Sequence, residues 1–130
     1  MNVYLLDAHV LYWHLSVPGK LSPAAKKAIE DGETGQALLV ISHIVLAELY
    51  FLLKKLGQDE QFPAIVAAIR ADSAYRIEPV VLDGIENLAG FAEIPEMHDR
   101  LIALAAKRLS ATLLTKDPLI QASPQISWIW

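Results

Sequence analysis

The chain has 130 residues, of which 54% are apolar and 20% charged, and its formal net charge is −4. This length suits one domain, residues 1–130, and no apolar run approaches the roughly 20 residues that span a bilayer. The absence of cysteine excludes disulfides and thiolate metal sites. We therefore expect a single cytoplasmic domain without membrane association.

The first half of the chain alternates short β-like runs with helical stretches. Ser22, followed by proline, and Ser42 are typical helix N-caps, and Gly32 and Gly57 are predicted to end the helices that these serines begin. The predicted segments are a strand over 2–6, a helix over 8–15, a helix over 23–30, a strand over 37–41 and a helix over 43–56.

The second half continues the alternation. Asp83 is predicted to cap a helix that extends through Ala92. Together the two halves indicate an α/β fold, with a parallel β-sheet of about five strands sandwiched by helices. The further segments are helices over 60–71, 83–92 and 99–109, strands over 75–80, 112–115 and 126–130, and a helical turn over 117–121.

The helix over 43–56 is apolar on nearly every side, since eight apolar residues larger than alanine lie between Ile44 and Leu53 and wrap round its axis. Such a helix is either deeply buried or covered twice, by the core and by another chain. In a domain of this size we expect the second arrangement, and therefore a dimer or a tight partner.

Two acids follow predicted strands. Asp7 comes directly after the first strand, and Asp117 follows the strand over 112–115. Ligands bind at the carboxyl ends of strands in open parallel sheets, so both carboxylates are candidates for chemistry. Each is equally explained as the N-cap of the helix that follows it.

Two further acids lie on predicted helices. Glu48 is the only charged residue between Ser42 and Lys54, and a buried carboxylate is costly unless it is paired or bound to a metal. The alternative is a glutamate on a thin solvent stripe that pairs with Lys54 or Lys55. Asp99 begins the helix over 99–109 and serves equally well as its cap or as a ligand in a cleft.

Four carboxylates brought together would repel one another, and a hard divalent cation removes that repulsion. Oxygen-only ligation favours Mg²⁺ or Mn²⁺ over Zn²⁺, and the histidines show no HExxH spacing. His9 and His98 lie beside these acids in sequence and are either supporting groups or ordinary surface residues. The net charge of −4 argues against a nucleic-acid binder, but the four acids equal it in number.

With these residues in place, the chain resembles the PIN-domain ribonucleases, particularly the VapC-type toxins of bacterial toxin–antitoxin pairs. The order and spacing of four stretches over nearly the whole chain carry the resemblance. They are Leu5-Leu6-Asp7-Ala8-His9-Val10-Leu11-Tyr12-Trp13, the segment 42–48, His98-Asp99-Arg100-Leu101-Ile102-Ala103, and Leu113-Leu114-Thr115-Lys116-Asp117-Pro118-Leu119.

The resemblance implies a Mg²⁺- or Mn²⁺-dependent ribonuclease, the toxin of a type II pair, with an RNA substrate, a cognate antitoxin and usually a homodimer. It places Asp7, Glu48, Asp99 and Asp117 at the family's four acidic positions. We expect Asp7 and Asp99 to hold the metal, with Asp117 directly or through water. Glu48 would orient or deprotonate the attacking water.

The chain departs from the family pattern after the first acid, where Ala8 replaces the usual threonine or serine. Ser42 and Thr115 are the hydroxyls that could share the missing role. Candidates for contacts with the RNA backbone, which are equally explained as solvated surface charges, are Lys20, Arg100 and Lys116. The three tryptophans Trp13, Trp128 and Trp130 could stack on bases, although packing explains them better.

Two other functions compete with this interpretation. A catalytically degenerate PIN-like module with a binding or regulatory role would fit Ala8 and the negative net charge. A phosphotransfer domain of the response-regulator type also places acids at strand ends, and Lys116 would imitate its lysine. That second alternative needs adjacent acids after the first strand, where this chain has only Asp7.

Overall fold

The computed structural model describes all 130 residues, and its centre is a five-stranded parallel β-sheet. The strands lie in the order β3-β2-β1-β4-β5, and every neighbouring pair is parallel. The strands are β1 (Asn2–Leu6), β2 (Ala37–Ser42), β3 (Tyr75–Glu78), β4 (Thr112–Leu114) and β5 (Trp128–Ile129). The predicted fold class, a parallel sheet of about five strands, is confirmed.

Seven α-helices connect the strands. They are α1 (Ala8–Ser16), α2 (Pro23–Glu33), α3 (His43–Lys55), α4 (Phe62–Ala71), α5 (Leu82–Glu86), α6 (Met97–Arg108) and α7 (Pro118–Gln121). Short 3₁₀ segments cover Pro18–Lys20, Asp59–Gln61 and Leu88–Phe91. None of the helices is long and apolar enough to cross a bilayer.

The central strands are apolar at nearly every position because helices cover both faces of a parallel sheet. Leu5, Leu39 and Leu113 on three adjacent strands are fully buried. Helix α1 packs against α3, and α3 packs against α6. The core therefore joins the strands that carry Asp7 and Asp117 to the helices that carry the other two predicted acids.

The strand order places a switch point beside β1. The chain builds β1, β2 and β3 towards one edge of the sheet, and then returns to add β4 and β5 on the other side of β1. In open parallel sheets a crevice forms at the carboxyl ends of the two strands that flank such a switch. Here those strands are β1 and β4.

The predicted caps at Ser22 and Ser42 are confirmed. The hydroxyl of Ser22 accepts a hydrogen bond from Ala25 N at 3.1 Å, and that of Ser42 accepts one from Val45 N at 3.2 Å. Gly57, which follows α3, has a φ of +71° that suits a glycine terminator.

The prediction that Gly32 ends the second helix is wrong, because α2 continues to Glu33 and Gly35 provides the positive φ, +80°. Gly32 is buried, and a Cβ at this position would overlap the side chain of Leu39 on β2. Gly32 thus allows α2 to pack closely on the sheet. Its position near the end of a helix suggested a terminator instead.

The predicted helix from an Asp83 cap to Ala92 also differs from the observed one in its start, its end and its cap. Helix α5 begins at Leu82 and ends at Glu86, and a 3₁₀ segment replaces its predicted continuation. Asp83 lies inside the first turn, where its backbone carbonyl accepts a hydrogen bond from Asn87 Nδ2 at 2.7 Å. The cap residue is Val81, which makes no side-chain hydrogen bond.

The all-round burial expected for the helix over 43–56 is only partly present in this single chain. Val45, Leu49 and Leu53 are fully buried, whereas Phe51 is 68% exposed and Leu56, just beyond α3, is 47% exposed. One side of α3 thus packs in the core, and Phe51 on the opposite side leaves a large apolar group at the surface.

Candidate functional site

Asp7 lies at the end of β1 and begins α1. Its backbone N–H donates to Leu114 O on β4 at 3.1 Å, which extends the ladder between the two strands to the site. Asp7 Oδ1 accepts a hydrogen bond from Ala8 N at 2.8 Å. Asp7 is therefore an N-cap and a crevice residue at once, and its side chain is buried.

Thr115 joins the two strand ends through its hydroxyl. Its Oγ1 donates to Asp7 Oδ2 at 2.7 Å and accepts from Asp117 N at 3.0 Å. Thr115 is fully buried. A hydroxyl from β4 therefore contacts the first acid in a chain that carries Ala8 beside it.

Asp117 is the N-cap of α7, with Oδ1 accepting from Leu119 N at 2.9 Å. Its half-buried side chain stands at the same edge of the sheet as Asp7. The two readings of Asp117 as a cap and as a crevice acid are thus compatible, because one carboxylate oxygen serves the cap and the other makes no hydrogen bond to the protein.

Glu48 projects from the second turn of α3, the helix that begins where β2 ends. Its Oε1 is buried and has no hydrogen-bond partner. Unpartnered buried polar atoms are rare in native proteins and often mark a site for an ion or water. No lysine forms an ion pair with Glu48, so the alternative of a pair with Lys54 or Lys55 is not what this structure shows.

Asp99 lies in the first turn of α6 and is not its cap. The cap is Glu96, whose Oε2 accepts from Asp99 N at 2.9 Å, while its Oε1 lies 3.1 Å from His98 Nδ1. Because Glu96 takes the capping role, the Asp99 carboxylate makes no hydrogen bond to the protein and is available to the crevice.

Glu96 was missed by the sequence reasoning. Its charge acts on both Glu48 and Asp99, so it belongs to the electrostatic surroundings of the site. The available signal was its position three residues before Asp99, a spacing typical of a side chain that caps a helix N-terminus.

The four predicted acids are close enough that every pair among them repels. Burial, and then the charges of Asp7 and Asp99, raise the pKa of Glu48 to about 7. Burial, and then the charges of Asp117 and Asp7, raise the pKa of Asp99 to about 6. The site therefore resists full ionisation by its own residues.

The pKa of Asp7 is also raised, chiefly by burial. The hydrogen bonds from Thr115 and Ala8 N oppose this rise, repulsion from Asp117 adds to it, and the charge of His9 opposes it slightly. Asp7 is thus the acid that the protein orients most firmly, with both carboxylate oxygens accepting hydrogen bonds.

The donor set suits a hard divalent cation, since it consists of carboxylate oxygens and includes the unpartnered Oε1 of Glu48. No three histidine, aspartate or glutamate side chains already have the arrangement of a metal centre. Binding an ion would accordingly require the carboxylates to close around it.

Three other predicted site residues, Lys20, Lys116 and Ser42, make no hydrogen bond or ion pair with the four acids. Lys20 and Lys116 are exposed, and their ammonium groups lie 5.8 and 6.0 Å from the centre of the Trp13 ring. Ser42 bonds only to the backbone of α3 and contacts none of the acids through a hydrogen bond.

Arg100, the third candidate for a contact with the RNA backbone, is half-buried and makes two hydrogen bonds within the protein. Its Nε donates to Ile94 O at 2.6 Å and its Nη1 to Leu88 O at 3.3 Å. These bonds fix the segment that precedes α6, and a contact of Arg100 with the RNA backbone stays a prediction.

Comparison with protein-family models decides the family. The PIN-domain model matches residues 4–122, which is most of the chain and includes all four acids. The chain belongs to the PIN-domain family. No curated protein matches it significantly in sequence.

Solved structures agree with this PIN fold. The chain is similar to VapBC2 from Rickettsia felis, bound to a DNA fragment from its promoter, at a TM-score of 0.75 and 19% identity over 98% of this chain and 97% of that one. It is also similar to VapC20 of Mycobacterium tuberculosis, described as a sarcin-ricin loop cleaving toxin, at a TM-score of 0.69 and 19% identity over 93% and 95%. A third similar structure is VapBC-1 from Haemophilus influenzae, at a TM-score of 0.69 and 20% identity over 98% and 96%.

Proposed function

We propose that this PIN domain is a Mg²⁺- or Mn²⁺-dependent ribonuclease and the toxin of a type II toxin–antitoxin pair. The observation that carries the proposal is the unpartnered, buried Oε1 of Glu48 among three aspartates at the switch point of the sheet. A polar atom without a partner in a cluster of like charges favours a site that is completed by a cation.

Asp7, Asp99 and Asp117 are the residues that would hold the metal. When bound, such an ion lowers the pKa of a water molecule and stabilises charge on the phosphate and leaving oxygens. Asp7 is oriented by Thr115 Oγ1 and Ala8 N, whereas the Asp99 carboxylate makes no hydrogen bond to the protein. Asp7 is thus held in place, whereas the Asp99 side chain is free to move towards a bound ion.

Glu48 would orient the attacking water and accept its proton. Its Oε1 faces no protein donor, so a water or an ion is the natural partner for this oxygen. A general base works best when it is within hydrogen-bond reach of the proton that it removes. Attack in line on the phosphodiester would leave a 5′-phosphate and a 3′-hydroxyl.

Lys20 and Lys116 would hold the RNA backbone beside the acids. Both are exposed, and Lys116 stands directly between Thr115 and Asp117 in the chain. Cations at this place would counter the repulsion between the acidic site and the phosphates, so binding should weaken as salt increases.

A homodimer and a cognate antitoxin complete the proposal. The similar structures from Rickettsia felis and Haemophilus influenzae are VapBC assemblies. In this chain, Phe51 on the outer side of α3 is a large exposed apolar group that a second chain would cover.

A degenerate PIN module with a binding or regulatory role is the alternative. It is favoured by Ala8 beside the first acid and by the lack of a ready arrangement of three ligands. Such a module would bind protein or RNA without cleaving it.

The test is cleavage of RNA by the purified chain, free of antitoxin, with Mg²⁺ or Mn²⁺ and with EDTA. We expect cleavage that EDTA stops, and a loss of about 10²–10⁴-fold in Glu48→Gln, as for removal of a general base. Asp99→Asn should also be inactive, and Glu60→Gln, which changes an exposed glutamate away from the site, should cleave normally. Cleavage that survives both EDTA and Asp99→Asn would refute the proposal.

A further inference from the structure

Beside the four acids lies a group of aromatic and basic side chains centred on Trp13 of α1. The Trp13 ring is 5.8 Å from the ring of His9 and 5.6 Å from that of Trp130, with both pairs tilted by 54°. We call this group, with the two lysines next to it, the Trp13 platform. Its members are His9, Trp13, Lys20, Lys116 and Trp130.

Two lysines from separate parts of the chain meet at the same ring. Lys20 ends the 3₁₀ segment after α1, and Lys116 follows β4, yet their Nζ atoms lie 5.8 and 6.0 Å from the Trp13 ring centre. Neither Lys20 nor Lys116 forms an ion pair with an acid of the protein. In a chain of net charge −4, this is a local concentration of free positive charge.

Trp13 is half-buried, and His9, Lys20 and Lys116 are exposed. A half-buried ring is held by the core at one edge and keeps part of its surface open. Cation–π contacts between exposed groups are weak, so an entering planar group can displace an ammonium from the ring at little cost. The platform is thus both firm and accessible.

The platform adjoins the acid cluster on two elements. His9 and Trp13 share one face of α1, being four residues apart, and His9 is two residues from Asp7. Lys116 immediately precedes Asp117. The rise of a helix places Trp13 about 9 Å along α1 from Asp7, which corresponds to about two or three stacked nucleotides.

We propose that the Trp13 platform is a subsite for single-stranded RNA, in which Trp13 stacks on a base near the scissile phosphate while Lys20 and Lys116 bind the flanking phosphates. Aromatic rings interleaved with lysines are the usual means of holding unpaired strands, because every base offers a stacking face and every linkage a negative charge. A duplex hides those faces, so the platform selects unpaired RNA.

The position of this subsite relative to the scissile phosphate rests on the proposed ribonuclease function, whereas the binding itself does not. An acidic protein segment is the competing ligand, since it would also meet the two lysines. It would gain little from the open Trp13 ring, which is why the observations favour a nucleic acid.

The experiment measures binding of a fluorescent single-stranded RNA decamer to the full chain in EDTA, so that no cleavage occurs. We expect the decamer to bind more tightly than a hairpin duplex of the same composition, and polyglutamate to compete poorly. Trp13→Leu should weaken binding at least about fivefold, the lower limit for the loss of one stacked base. Trp13→Phe should recover part of the affinity.

The lysines are tested separately because Trp13→Leu could disturb the core. The double variant Lys20→Gln with Lys116→Gln should reduce the slope of log affinity against log salt by about 1.4, since about 0.7 is expected per phosphate contact on a single strand. Lys26→Gln, which changes an exposed lysine on α2, is the matched control and should leave the slope unchanged.

Equal binding of decamer and hairpin, effective competition by polyglutamate, or an unchanged salt slope in the double lysine variant would each overturn the proposal. Cleavage is measured independently on the same samples. RNA binding as predicted without cleavage would support the Trp13 platform and contradict the ribonuclease function. Cleavage of RNA, with binding unaffected by these variants, would support the ribonuclease function and contradict the platform.

Discussion

The hydroxyl of Thr115 lies 2.7 Å from Asp7 Oδ2 and donates a hydrogen bond that connects the ends of β4 and β1, 108 positions apart in the chain. The same oxygen accepts from Asp117 N. One buried side chain therefore orients the first acid and the loop of the last, which makes Thr115 the residue that aligns the two sides of the crevice.

Thr115→Val should lower the free energy of unfolding by about 1–3 kcal/mol at neutral pH, because Asp7 then loses a buried hydrogen-bond donor. Urea unfolding measures the loss. Thr115→Ser keeps the hydroxyl and should recover most of the stability. Thr112→Val, at the start of β4 where the side chain makes no hydrogen bond, is the control. Equal effects at both positions would show that the hydroxyl does not matter.

The raised pKa of Glu48 makes the metal-free protein less stable as the pH increases. Below its ordinary pKa of 4.5, both the folded and the unfolded chain hold the proton. Between pH 4.5 and about 7 the folded chain keeps a proton that the unfolded chain releases, so the stabilising contribution falls across this window and is lost above it.

In EDTA, Glu48→Gln should therefore be more stable than the natural chain at pH 8 by about 1–2 kcal/mol, after allowance for solvent screening of a half-buried group. Near pH 4 the two should be alike, because the natural glutamate is then neutral. Thermal or urea unfolding at several pH values checks this, with Glu30→Gln as an exposed control. A difference that does not depend on pH would contradict the explanation by charge.

Gly32→Ala should destabilise the protein by about 1–3 kcal/mol, the usual range for overpacking a core, although alanine favours helices. The added Cβ would overlap the Leu39 side chain on β2. Gly19→Ala is the control because its Cβ would meet no atom within 4 Å. A more stable Gly32→Ala variant would show that α2 can move away from the sheet.

Phe51→Glu should disrupt association if the exposed side of α3 is covered by a second chain. Large aromatic groups at the centre of an interface commonly contribute about 2 kcal/mol or more. Light scattering at high protein concentration should give a dimer for the natural chain and a monomer for Phe51→Glu. Leu82→Glu is a control of similar exposure, 70% against 68%. A monomeric natural chain would contradict the homodimer.

Local sequence signals predicted much of the fold. Ser22 and Ser42 cap helices as expected, because a cap depends only on the next few residues. The alternation of apolar strands and helices predicted the parallel sheet, since both faces of such a sheet are covered. The β1 and α1 boundary at Asp7 was also found from local pattern alone.

The failures depend on tertiary contacts. Gly32 is required by close approach to Leu39, and nothing near Gly32 in the sequence reveals that neighbour. The sequence indicates that Thr115 places a hydroxyl near the candidate site. It does not indicate that this hydroxyl bonds to Asp7, because that contact depends on the pairing of β1 with β4. The cap of α6 is Glu96 and not Asp99, and the sequence offers both acids as caps because they lie three residues apart.

The candidate site residues are the hardest to predict because two of the four acids, Asp7 and Asp117, also cap helices. Asp7 and Asp117 are N-caps that also lie in the crevice, so the two interpretations of these acids are compatible. What the sequence could not supply was their mutual approach, which depends on the strand order β2-β1-β4.

The most direct test for a metal among the four acids is the anomalous scattering of a crystal grown with Mn²⁺ at pH 8, above the raised pKa values of Glu48 and Asp99. We expect one or two strong peaks between Asp7, Asp99 and Asp117, with Glu48 Oε1 facing the ion or its water. Asp99→Asn crystals grown in the same way should lose the peak. A crystal that shows Mn²⁺ peaks elsewhere on the protein but none among these four acids would contradict the proposed metal site.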